Sequence, residues 1–218
     1  NFTSTSEWQR YSFTFTTDAS SSSFSSNSRL KGVTANNEIL FYGLQVEELS
    51  YTTSLIPTYG AVRTRLQDSV TGAGTSSNFN SVEGTIFVES SALADDADLK
   101  LFEINDSSAT DRVSIYYRGA TIRALVVVGG VTQSSFTITE NVTEFKKVAL
   151  KYKENDFALW IDGVEVGTDT SGITSSVGTL NNMDFSNSGN GIPFFGKTSQ
   201  IQVFNTALSD AELLTLTT

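Results

Sequence analysis

Between Lys146 and Gly167 apolar and polar positions alternate, break, and alternate again. Val148, Leu150 and Tyr152 alternate with Ala149, Lys151 and Lys153, and the polar Glu154-Asn155-Asp156 then interrupts the pattern. Phe157, Leu159 and Ile161 alternate with Ala158 and Trp160 up to Asp162-Gly163. A period of two places successive side chains on opposite faces of a strand. Asp-Gly is a strong hairpin signal because both residues tolerate φ > 0. The stretch therefore predicts an antiparallel meander.

The same pattern recurs from Val82 onward. It predicts strands at Gly84–Glu89, Leu99–Ile104, Arg112–Tyr117, Thr121–Val128, Gln133–Thr139, Phe145–Tyr152, Phe157–Ile161, Val164–Thr168, Asn182–Phe185 and Ser199–Phe204. Short strands with turn signals between them point to an all-β antiparallel sandwich. Helix is expected only at the end. Ser209-Asp210-Ala211-Glu212 has the spacing of a capping box, and Leu213, Leu214 and Leu216 supply a short apolar face.

The first part of the chain reads differently. Trp8 to Thr16 alternates as a half-buried strand, and Leu30 to Val33 has the look of a short one. Glu38 to Glu47 is another, with Gly43 a bulge or a point of close approach. Ala19 to Asn27 is a serine-rich loop, and Gly72 to Asn80 a Gly/Ser/Asn-rich one. The expected division is a partial β unit at 1–58, a linker at 59–79 and a β-sandwich at 80–218. The abrupt start in a strand edge suggests a piece of a longer polypeptide.

Charge supports the division. The net charge is −10; 18 of 24 acids and 9 of 14 bases fall from Asn80 onward, leaving 6 and 5 before it. This balance opposes nucleic-acid binding, which needs a basic stripe. No apolar stretch approaches the roughly 18 residues that span a bilayer, so no membrane insertion is expected. With 218 residues and no cysteine, the chain relies on a packed core instead of disulfides.

Several segments resemble known families. "KVALKYKENDFALWIDGVEVGT" and the tail "QIQVFNTALSDAELLTL" resemble laminin-G-like, concanavalin-A-like lectin jelly rolls over Asn80 to Thr218. "EWQRYSFTF" and "ILFYGLQVEE" resemble the last strands of a carbohydrate-binding-module jelly roll. Ser54 to Thr58 (SLIPT), with Val62-Arg63-Thr64-Arg65, resembles a junction of phage tail proteins that leads into a C-terminal lectin-like domain. The resemblance implies a non-catalytic adhesin of a phage tail fibre that attaches to a bacterial surface glycan. It also implies a homotrimer, contacts with other virion or tail proteins, and a virion or otherwise extracellular location. The rivals are a carbohydrate-binding module of a secreted polysaccharide-degrading enzyme and a purely structural virion part.

Chemistry is sparse. The chain has no histidine, which removes Ser-His-Asp triads and the usual zinc sites. No strand carries acids on alternate residues as glycosidases of this shape do, so no catalytic residue is expected. A calcium ion is the one candidate cofactor, on Asp95, Asp96 and Asp98, with Asn105-Asp106 or Asn181-Asn182-Asp184 as further oxygen donors. The alternative is solvated turn acids. Candidate glycan-binding residues are Tyr116, Arg118 and Trp160, which alternation turns away from the core, and Asn187 and Asn190 in the NSGNG loop. For Trp160 the alternatives are a second packing layer and a subunit contact.

Overall fold

The structure is a computed structural model and describes residues 5–16, 40, 42–47, 52–63, 73–97, 100–186 and 194–218. The chain divides into two compact units, Asn1–Arg65 and Leu66–Thr218.

The second unit is an all-β sandwich with a short C-terminal helix. Its elements are β1 (Glu83–Ala92), β2 (Lys100–Asn105), β3 (Arg112–Tyr117), β4 (Thr121–Val128), β5 (Val131–Thr139), β6 (Lys146–Lys153), β7 (Phe157–Ile161), β8 (Val164–Asp169), β9 (Asn182–Asp184), β10 (Gly196–Phe204) and α1 (Asp210–Thr217). One five-stranded sheet runs β10-β1-β6-β7-β8 and the other β5-β4-β3-β2-β9. All ladders between named strands are antiparallel. Every strand expected from Val82 onward is present, with ends agreeing within three residues. The meander is β6-β7-β8; Asn155, Asp162 and Gly163 all take positive φ, as its two turns require.

The main core lies between the sheets and includes Val113, Ile115, Tyr117, Phe157, Leu159 and Ile161, the faces that alternation assigns to it. The edge strands also meet across the sandwich. A Cβ at Gly167 on β8 would sit 2.5 Å from the Phe136 ring on β5, so only glycine lets that ring seat.

A second, smaller core lies outside the first sheet. Phe87, Ala149 and Trp160 stand side by side across β1, β6 and β7, large-small-large. Leu213 of α1 closes over them, with Leu208 and Leu216 packed alongside. Leu214, expected on the apolar face, is exposed. Leu213 and Leu216 are three apart and share a side of the helix, whereas Leu214 is turned about 100° away. Lys151 reaches Asp156 at 2.7 Å and Asp210 at 3.6 Å, tying β6 to the start of α1.

The helix start carries the expected capping box between Ser209 and Glu212. Glu212 Oε2 accepts from the Ser209 N–H at 2.8 Å, as a capping box requires, but the Ser209 hydroxyl also donates to that carboxylate, at 2.7 Å. Both bonds hold the Glu212 carboxyl below its usual range. Its contribution is therefore present above the ordinary glutamate pKa and is lost as pH falls through the lowered one. Ser209→Ala is expected to lower stability by about 1 kcal/mol, read in a thermal melt.

Alkaline pH acts on the main core. Burial pushes the Tyr117 phenol up to about 12, although it is hydrogen-bonded to Ser90 Oγ at 2.7 Å. Burial raises Tyr152 as well. Lys146 is raised chiefly by its hydrogen bond to Asp162, against some desolvation, and also pairs with Glu140. A raised folded pKa means stability that is whole below the unfolded value and lost as pH rises through the folded one. Denaturant melts are expected to change little between pH 6 and 9, where the histidine-free chain has no side chain with an ordinary pKa. They should weaken steadily from pH 10 to 12.

In the first unit the expected strands at Trp8–Thr16 and Glu38–Glu47 are not seen among the described residues, which carry no ladder there. Trp8, Phe13, Tyr42 and Leu44 are largely exposed instead of half-buried. Alternation specifies which side chains share a face; a strand also needs a partner to take its N–H and C=O groups. Side chains do part of that work here: Gln45 Oε1 accepts from the Ile56 N–H at 2.7 Å, and Glu47 Oε2 from the Thr53 N–H at 3.0 Å. Gly43 is a point of close approach, with φ of 70° and Leu55 Cδ1 only 2.9 Å from where a Cβ would lie. Ala19 to Asn27 and Leu30 to Val33 lie outside the described residues.

Candidate functional site

The two sheets differ on their outer faces. On β10-β1-β6-β7-β8, Trp160 is only 8% exposed because α1 covers it. This corrects the expectation of a solvent-facing tryptophan. Alternation does turn it from the main core, and the helix then supplies a second layer. Tyr116 sits on β3, in the other sheet, with its side chain half-buried on the outer face. Tyr116 and Trp160 therefore lie on opposite sides of the sandwich and cannot line one site.

The outer face of β5-β4-β3-β2-β9 is polar. Ladder register places Asp184, Glu103, Ser114 and Leu125 in one row, and Leu101, Tyr116, Arg123 and Thr137 in another. Glu103 and Asp184 are opposed on neighbouring strands, where like charges repel. Asn105 Nδ2 lies between them and donates to Glu103 Oε1 at 3.1 Å and to Asp184 Oδ2 at 2.9 Å. Ser114 Oγ donates to Glu103 Oε2 at 2.9 Å, and Arg112 Nε lies 3.7 Å from the same oxygen. Asn182 Nδ2 donates to Asp184 Oδ2 and to Asn105 Oδ1. Glu103 is 2% exposed and Asn105 fully buried, so this is a desolvated network.

Two of the suggested oxygen-donor groups, Asn105 and Asn182-Asp184, thus come together. They do so far from Asp95 and Asp96, which lie beyond the other end of β2. Asp95 and Asp96 are exposed on the β1–β2 connection, and Asp96 O accepts from the Gly119 N–H at 2.6 Å. That contact brings their loop against the β3–β4 turn beside Arg118, which is exposed. No cluster of three acids suited to a metal ion is found among the described residues. Asp98, Asn187 and Asn190 lie outside the described residues.

Sequence reasoning missed Arg112, Arg123 and the Glu103 network. A signal was present. All three arginines after Asn80 (Arg112, Arg118 and Arg123) lie within one twelve-residue stretch spanning β3 and β4. Arg112, Ser114 and Tyr116 alternate with core residues, and so do Glu103 and Asn105. Arg123 Nε donates to Thr121 Oγ1 at 3.1 Å, and Thr121 Oγ1 donates to Arg118 O at 2.6 Å. Arg123 is thereby held toward the turn that carries Arg118.

No family model and no curated protein matches the chain. Solved structures do. The CBM40 of the Ruminococcus gnavus IT-sialidase matches at 20% identity and a TM-score of 0.55, over 70% of this chain and 98% of that one. A form bound to α2,3 sialyllactose matches at a TM-score of 0.54. The heptameric SAP-like pentraxin of Limulus polyphemus matches at 12% identity and a TM-score of 0.55, over 72% of this chain and 78% of that one. The sandwich shares the jelly-roll fold of these structures. A leech intramolecular trans-sialidase matches at 23% identity and a TM-score of 0.53, over 63% of this chain but 23% of the enzyme. At these identities the likeness establishes the fold alone.

Proposed function

We propose that the sandwich is a non-catalytic carbohydrate-binding module that uses the outer face of β5-β4-β3-β2-β9. The observation that carries this is the asymmetry between the two faces. One is sealed by α1 over Trp160, and the other presents the half-buried Tyr116 beside Arg123, on strands that a buried polar network ties together. Sugars are held by flat apolar surface together with rigid, planar hydrogen-bonding groups. The likeness in fold to a CBM40 seen with sialyllactose supports the same reading. Its setting is then a larger polysaccharide-processing protein whose catalysis lies elsewhere. A virion adhesin on a bacterial surface glycan is the second reading, favoured by the SLIPT junction and its phage-tail resemblance.

A glycan array with the full chain tests binding. Binding to at least one oligosaccharide is expected, weakened about tenfold by Tyr116→Ala with an unchanged melt. Undiminished binding in that variant would move the site elsewhere. Incubation with the bound oligosaccharide should release no products; hydrolysis would overturn the non-catalytic reading.

A further inference from the structure

We infer that β5 is the contact between two copies of this chain, which pair antiparallel along it and join their five-stranded sheets into one. The inference comes from how the sheet edges are finished. An edge strand offers a row of unpaired N–H and C=O groups, and folds blunt it with charge, proline, a bulge or a covering segment. Among the described residues the edge strands are β10 and β8 in one sheet, β5 and β9 in the other. β9 is three residues long and is bridged by Ala73, whose carbonyl accepts from the Met183 N–H at 2.8 Å. β8 carries Glu165 and Asp169. β10 carries Lys197, and its ladder with β1 shifts register at Glu89/Ser90. β5, in contrast, is nine residues long with neither charge nor proline. Its own register shift lies opposite Val126/Val127, near its start, and Ser134–Thr139 runs on regularly beside β4. The backbone of that run bonds only to β4 among the described residues.

Charge selects a second copy as the occupant. The sandwich holds 18 acids against 9 bases from Asn80 onward, so two copies repel over most of their surface and can close only along a strip without charge. β5 is such a strip. Its exposed positions include Ser135, Thr137 and Thr139, and threonine and serine pair favourably across an antiparallel ladder. Pairing with another copy's β8 or β10 would bring Glu165, Asp169 or Lys197 against neutral side chains and leave an open chain of subunits. β5 on β5 is closed by a two-fold axis. Apolar surface flanks the same edge. Val131 and Ile173 are each more than half exposed, and the Ile173 N–H donates to Gln133 Oε1 at 3.2 Å, which holds its loop beside the strand. The two-fold stands normal to the sheet, so both outer faces look the same way, with the two Tyr116 residues about 25 Å apart across the intervening strand spacings. The pairing stands independently of the carbohydrate-binding reading; under that reading it makes the protein bivalent toward a polymeric glycan.

Sedimentation velocity of the full chain between about 1 and 200 μM tests the pairing. The expected result is a monomer–dimer equilibrium with its midpoint in the tens of micromolar, tightened by about 0.5 M salt, which screens the repulsion. Ser135→Lys with Thr137→Lys sets like charges against each other across the axis and should leave only monomer, with the melt of the dilute chain unchanged. Thr198→Lys, the same kind of change on β10, should leave the dimer in place. Hydrogen exchange on the unmutated chain gives an independent reading: alternate amides of Ser134–Thr139 should slow as concentration rises. A chain that stays monomeric, one that forms trimers, a dimer that survives the two lysines, a dimer lost equally in Thr198→Lys, or exchange in β5 that ignores concentration would each overturn the inference. None of these outcomes bears on glycan binding, which the array reads separately.

Discussion

Trp160→Ala is expected to destabilise the sandwich by about 3–5 kcal/mol, the cost of removing a large aromatic from a packed site. Trp160 lies between Ala149 and Ala158, whose small side chains make room for it, and beneath Leu213. Its removal leaves a void that α1 cannot fill without losing the contacts of Lys151 with Asp210 and of the Gly163 N–H with Thr217 Oγ1. Trp160→Phe separates shape from polarity. The Trp160 Nε1 is buried with no hydrogen-bond partner among the described residues, so phenylalanine removes an unsatisfied donor while keeping much of the volume. It should cost distinctly less than alanine. Glycan binding should persist in Trp160→Phe, because this face is not the ligand face. Denaturant melts read the first effect and the array reads the second. An unchanged melt in Trp160→Ala would mean that α1 does not cover this face.

Glu103→Ala is the second large effect, expected at about 3 kcal/mol of lost stability. Two effects oppose each other. Removing the carboxylate relieves repulsion with Asp184, worth at most about 1 kcal/mol across a strand pair. It also strands the Ser114 hydroxyl, which is buried, and takes the anion from beside Arg112. Each orphaned buried group costs about 1–3 kcal/mol, and more where charge is involved, so the loss wins. Glu103→Gln keeps one acceptor and the side-chain shape, and should recover about half of the deficit. If Glu103→Ala melted at or above the parent temperature, repulsion between the two acids would outweigh the bonds that Glu103 accepts.

The sandwich was legible because its residues obey a period of two with little interference. Arg112–Tyr117, Thr121–Val128 and Phe157–Ile161 alternate or run apolar between clear turns, and the structure places them with those ends. What alternation cannot see is the third layer. It put Trp160 off the core face correctly, but the same pattern fits a residue in water and one beneath a helix. The cue lay elsewhere, in the outward Ala149 and Ala158 and in a tail with Leu213 and Leu216 to bury. The polar network was hidden for a different reason. Glu103, Asn105 and Asp184 look like ordinary outward residues on two separate strands, and only the β9-β2-β3 order makes those strands neighbours. The first unit shows the same gap in reverse: Trp8 to Thr16 alternates well, yet no described partner strand pairs with it.

The assignment of the ligand face is tested most directly by NMR titration of the isotope-labelled chain with the tightest oligosaccharide from the array. The expected result is a set of shifts centred on Tyr116 and the Arg123 side chain, with the Trp160 indole resonance unmoved. Shifts centred on Trp160, Leu213 and α1, with Tyr116 and Arg123 unmoved, would contradict it.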